Sequence, residues 1–217
     1  MLTVEQISQK FSKENSCEGK KSISEKIMRQ LVFIAEVDKI KQVMRRTLLT
    51  DSSRRENDAE HSWHLALMSI LLEEYAAEPV DLERVLKMVT IHDLVEIYAG
   101  DTFAFDVVAN QDKEARETEA AEKLFGLLPE EQGIELRALW QEFDAMDTAD
   151  SRFAASLDRL QPFMHNILTD GHTWKLGNVS KEQVLKRMDP IRTGTPALWS
   201  WVQEQIELAM DKGYISN

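Results

Sequence analysis

Residues 88–101 read "MVTIHDLVEIYAGD". Counting back one turn, Val85, Val89, His92, Asp93 and Glu96 fall at i, i+4, i+7, i+8 and i+11, a single face of a helix with 3.6 residues per turn. The stripe that Val85 and Val89 point into a core therefore runs on into an imidazole and two carboxylates. Burying an unpaired carboxylate costs several kcal/mol. A compensating group is expected, and a cation shared with neighbouring helices is the economical one. Asp81 is the expected N-cap of this helix and Gly100 its terminating glycine, giving one helix over 81–99.

Outward from that stretch, the same periodicity predicts helices nearly throughout. Apolar positions three and four apart (Ile27, Leu31, Ile34, Val37, Ile40) predict a helix over 22–49. The polar loop "DSSRREND" follows, and Asn57 or Asp58 is expected to cap a helix that Pro79 ends. "TFAFDVVAN" (102–110) is an apolar connection with room for a brief strand. Helices are then expected over 112–126, 130–143 and 149–168. "DGHTWKLGN" reads as a loop, "SKEQVLKRMD" as a short helix and "TPALWSWVQEQIELAMDKG" as the closing helix. There is no repeat and no Pro/Gly/Ser linker, so the expectation is all-α: a single-domain helical bundle.

The composition narrows the function classes. The 217 residues carry a net charge of −12, and residues 112–150 hold twelve acids against four bases. Sequence-independent nucleic-acid binding needs phosphate neutralisation by Lys and Arg, so no nucleic-acid partner is expected. An anionic ligand would need a metal or a few local cations. The single cysteine, Cys17, rules out an intramolecular disulfide framework and favours a reducing compartment. With no apolar leader at the start and no run long enough to span a bilayer, the expected location is cytoplasmic, with no membrane partner.

Two further helices repeat the oddity of polar residues on an apolar face. His61 shares a face with Leu65, Met68 and Leu72, and Asp158 lies in line with Ala154, Gln161 and His165. Two imidazoles and two carboxylates from three helices form a mixed nitrogen and oxygen donor set. That set suits Mn, Fe, Co, Zn or Mg rather than a thiolate-rich structural zinc site.

His61, the His92–Asp93 pair 31 positions later and then Asp158 resemble the H…HD…D signature of the HD-domain metal-dependent phosphohydrolases. "AEHSWHLALMSILL", "HDLVEIYAGD" and "RFAASLDRLQP" look like the compact branch that includes the 5'-deoxynucleotidases. The resemblance implies an HD-domain bundle over 25–175, after an N-terminal extension (1–24) and before C-terminal helices (176–217) packing on the same domain. It implies one divalent metal ion held by His61, His92, Asp93 and Asp158, with Glu96 acting on the attacking water. It also implies Asp101 beside the substrate and Arg46 on its phosphate, with Arg45, Arg54 and Arg55 as neighbouring candidates for that role. One position departs from the pattern: those nucleotidases follow the arginine with tryptophan, and this chain has Thr47. The implied activity is hydrolysis of a small phosphomonoester, a nucleoside monophosphate above all, by a homodimer. The rivals are a phosphodiesterase or nucleotide polyphosphate hydrolase of the same superfamily, and a non-catalytic metal-stabilised scaffold. His64, His165, Trp174, Trp199 and Trp201 are expected to serve packing or an interface rather than chemistry.

Overall fold

The computed structural model describes residues 2–13, 23–106 and 108–217; Cys17 lies outside them. Helix α1 (Val4–Lys13) precedes α2 (Glu25–Val37), which starts on Ser24, whose side chain accepts from the Ile27 amide. The predicted helix over 22–49 is shorter than its periodicity suggested. After α2 the chain tightens into a 3-10 turn (Asp38–Gln42) and then pairs as β1 (Met44–Leu48) with β2 (Arg55–Asn57), antiparallel. The run Arg45–Arg46–Thr47 has no apolar position to continue the helical stripe, and as a strand it alternates faces. Arg45 and Thr47 are turned inward, with Thr47 buried, while Arg46 is about half exposed.

Helix α3 (Asp58–Leu72) starts on a reciprocal cap, Asn57 with Glu60, an arrangement that contributes about 1 kcal/mol. Its inner face, His61, Leu65 and Met68, is buried. Helix α4 (Leu82–Ile91) starts on Asp81, as expected, but ends at Ile91 rather than Ala99. Residues His92 to Val95 form tightened turns, with Leu94 N–H bonding Ile91 O and Glu96 N–H bonding Asp93 O, before α5 (Glu96–Ala99). At 3.0 residues per turn, positions three apart eclipse, so Asp93 and Glu96 stand over one another. Gly100 then takes φ 78°, ψ 149°, a conformation essentially restricted to glycine, and the chain turns sharply into Asp101. The described residues of 102–110 form turns without a strand.

Helices α6 (Lys113–Phe125), α7 (Glu130–Ala145) and α8 (Ala149–Leu168) follow close to expectation. The stretch read as a loop holds a short helix, α9 (His172–Leu176), followed by α10 (Lys181–Met188), α11 (Pro190–Gly194) and α12 (Trp199–Asp211). Helix α8 runs through the middle of the bundle, buried from Phe153 to Asp158. Helix α11 approaches it so closely that a Cβ on Gly194 would lie 2.3 Å from the Arg152 carbonyl. The main core joins α3, α4, α7 and α8 to the C-terminal helices through Val184, Met188, Ile191, Val202 and Ile206. Around the polar face, Leu65, Val85, Val89 and Leu157 are fully buried, each contributing roughly 1.5–3 kcal/mol. That apolar frame offsets the cost of the polar groups it encloses. Among the described residues no helix is long and apolar enough to cross a membrane.

Candidate metal centre

His61 from α3, His92 from the tightened turn and Asp158 from α8 each bring a donor atom within 4.8 Å of the others, and Asp93 stands beside the two histidines. His61 Nε2 lies 3.0 Å from Asp158 Oδ1 and 3.8 Å from Asp93 Oδ2. His92 Nε2 lies 3.1 Å from Asp93 Oδ2 and 3.6 Å from Asp158 Oδ1. Metal–donor bonds of about 2.1 Å imply donor–donor edges of about 3.0 to 3.4 Å, so the spacing fits a common cation. The hydrogen bonding agrees. His92 Nδ1–H donates to the Val89 carbonyl at 3.0 Å, which turns Nε2 toward two carboxylates with no hydrogen bond of its own.

The electrostatics also call for a positive charge. Burial disfavours a protonated His92, yet Asp93 and Asp158 outweigh it and raise its pKa to about 10. Burial and the Arg45 guanidinium instead push His61 down to about 4. The two carboxylates thus favour positive charge beside His92, which a divalent ion would supply. Adjacent residues on an ideal helix diverge by about 100°; the tightened turn brings His92 and Asp93 together instead.

Glu96 lies beside this cluster, 5% exposed, with Oε2 making no hydrogen bond. Burial, then Asp93 and Asp58, hold its carboxyl well above the usual range. Asp58, Glu96 and Asp101 each bring an oxygen within 4.8 Å of the others. Burial likewise raises Asp101, and raises Asp58 to about 7. Arg46 lines the cleft above, its guanidinium 4.7 Å from the Phe103 ring centre and 3.9 Å from Asp106. Phe103, Phe105, Trp140, Phe143 and Trp174 are among the cleft's walls, and aromatic walls around a few convergent polar groups suit a small organic ligand.

Several residues at the centre were not singled out from sequence. Arg45, named only as a competitor of Arg46, donates to Asp93 Oδ2 at 2.6 Å and to Asp58 Oδ1 at 3.1 Å. Asp58 carried a readable signal: it stands three residues before His61 on the same helix. Arg159 pairs with Asp158 Oδ2, and Arg187 Nη2 lies 3.9 Å from the same oxygen. Gln161 Oε1 accepts from His61 Nδ1–H over 3.0 Å. His64 and His165 lie behind His61, away from the four converging donor atoms, and contact the Gln161 amide.

Known proteins place this geometry in context. A sequence model described as an HD domain matches residues 37–199. A 5'-deoxynucleotidase HDDC2 of Bos taurus is 29% identical over 132 residues, 60% of this chain and 63% of that protein. The Homo sapiens protein of the same name is 27% identical over the same shares. The chain thus spans less than two thirds of the length of these relatives. A crystal structure described as a predicted metal-dependent phosphohydrolase from Magnetospirillum magnetotacticum is 50% identical, with a TM-score of 0.84 over 88% of this chain and 96% of that one. With three quarters of its length matched in one continuous block and the H…HD…D side chains gathered at one point, the chain belongs to the HD domain family.

Proposed function

We propose that this chain is a metal-dependent hydrolase of small phosphomonoesters, a 5'-(deoxy)nucleotidase that releases inorganic phosphate with water as nucleophile. The observation that carries this is Glu96: a buried carboxylate with a free oxygen, one short turn from Asp93, opening on the cleft. A scaffold stabilised by metal needs four ligands and has no use for a further buried acid beside them with one oxygen left free. The naming of the HDDC2 relatives and of the Magnetospirillum structure supports the same reaction class.

His61, His92, Asp93 and Asp158 would hold one divalent ion, which when bound lowers the pKa of water and neutralises phosphate oxygens. Glu96 takes the proton of the attacking water or orients it, a role its raised pKa and partial desolvation suit. Arg46 donates to the phosphate. Arg187 joins it: it faces the cleft and no acceptor lies within hydrogen-bond distance of it among the described residues. Asp101 stands at the substrate side of Glu96. Thr47, where the nucleotidases carry tryptophan, is buried and its hydroxyl donates to Glu56 Oε2 at 3.4 Å. The aromatic surface for a sugar or base therefore comes from Phe103, Trp140 and Phe143.

We further assign a cytoplasmic setting, from the single cysteine, and a homodimer. Support for the dimer is the outer face of α3, where Trp63, Leu67, Ile70 and Leu71 are between 40% and 68% exposed; contiguous apolar patches of this kind mark association surfaces.

The test is a substrate panel on metal-free protein reloaded with Mn, Co or Mg: nucleoside 5'-monophosphates, their triphosphates and bis-p-nitrophenyl phosphate. Phosphate release from the monoesters is expected. Hydrolysis of the diester or triphosphates with the monoesters untouched would overturn the assignment.

A further inference from the structure

Behind the metal centre, Glu56, His64 and His165 each offer a donor atom within 4.8 Å of the others, which on composition alone is a second cation site. The side chain between them and His61 decides otherwise. Gln161 is fully buried; its Oε1 lies 3.0 Å from His61 Nδ1. Its Nε2 lies 2.6 Å from Glu56 Oε1, 3.3 Å from His64 Nδ1 and 3.2 Å from His165 Nε2.

A ligand histidine that presents Nε2 to a metal must carry its proton on Nδ1. Only the carbonyl end of an amide accepts that proton, so Oε1 faces His61 and the NH2 end faces the trio. The amide nitrogen lies within hydrogen-bond distance of one atom of each of the three, so an N–H donor already stands where a cation would have to sit. The trio is an acceptor set, and what it fixes is the direction of the amide.

We infer that Gln161 is the positioning residue of the metal centre: anchored by Glu56, it holds His61 in the tautomer that bares Nε2 to the ion. This rests on the metal assignment made above. It also accounts for Glu56, a carboxylate 2% exposed and linked by Gln161 to His61. Ligand histidines generally donate their second N–H to such a partner, and loss of that partner lowers metal affinity by 10–100-fold.

The experiment measures Mn2+ affinity by calorimetry and the melting temperature of metal-free protein, for wild type, Gln161→Met, Gln161→Glu and the double variant Gln161→Glu/Glu56→Gln. Gln161→Met removes the acceptor with little change in volume, and its affinity is expected to fall 10–100-fold. Gln161→Glu keeps an acceptor for His61 while setting two carboxylates against each other. Its melting temperature is expected to fall while its affinity stays within about threefold of wild type. Reversing the amide and carboxylate in the double variant is expected to restore both quantities. If affinity instead tracks melting temperature through the series, Gln161 is a packing residue and the inference is overturned. Wild-type affinity in Gln161→Met overturns it as well, leaving the metal assignment intact. A wild-type protein that takes up no divalent cation overturns both.

Discussion

Replacing Glu96 with glutamine keeps the shape of the side chain and removes its charge and basicity. Two effects of opposite sign are expected. General-base assistance is typically a factor of 10²–10⁴, or about 3 to 5 kcal/mol of barrier. Turnover of the metal-loaded variant should fall by that factor. Stability of the metal-free protein should rise. In the fold Glu96 is held well above the usual carboxylate range by burial and by Asp93 and Asp58, so its proton is bound more tightly folded than unfolded. Such a group contributes stability that is fully present below the unfolded pKa and is lost as pH rises through the folded one. Each pH unit above the ordinary carboxylate value costs up to about 1.4 kcal/mol. For a chain of this length each kcal/mol moves the melting temperature by about 2–4 °C. Metal-free Glu96→Gln should therefore melt several degrees above wild type at pH 8 and converge with it near pH 4. Steady-state phosphate release and calorimetric melts read the two effects separately. Turnover within threefold of wild type, or a variant that melts lower at pH 8, would refute the role assigned to Glu96.

Other expectations follow from the same geometry. Arg46→Ala should raise KM for a phosphomonoester at least tenfold while leaving the melting temperature within a degree, since its guanidinium is half exposed and only loosely paired with Asp106; steady-state kinetics decides. Gly100→Ala places a side chain at φ 78°, a strain of about 1–3 kcal/mol, and should lower the melting temperature by several degrees even though nothing stands within 4 Å of the added carbon. Trp63→Lys should convert the proposed homodimer to monomers with activity per chain unchanged, as sedimentation velocity and a parallel activity assay would show; a wild-type protein that sediments as a monomer would remove the dimer assignment.

The helices that bury one face were legible in the sequence. The stripe from Val85 to Glu96 exposed the central oddity because apolar spacing and polar identity conflict on it, and the same conflict marked His61 and Asp158. What escaped was geometry that periodicity does not encode. A continuous helix sets His92 and Asp93 about 100° apart on that face; the tightened turn that brings them together leaves no compositional trace. The strand at 44–48 was hidden because a stretch of arginines and threonine tolerates either state, so Arg45 and Arg46 could not be assigned to opposite faces. Helix α9 was read as a loop since glycines bracket only five residues, yet burial of Thr173 and Trp174 against α8 stabilises it. Gln161 was visible in line with Asp158, but its link to Glu56 was not: they lie 105 residues apart, and only the fold shows that they meet.

The central claim is that a divalent ion binds between α3, the His92–Asp93 turn and α8. Anomalous diffraction from Mn-loaded crystals at the manganese edge tests it most directly. The expected result is a peak within about 2.3 Å of His61 Nε2, His92 Nε2, one oxygen of Asp93 and one of Asp158. Fully loaded crystals with no anomalous density among those four side chains would contradict it.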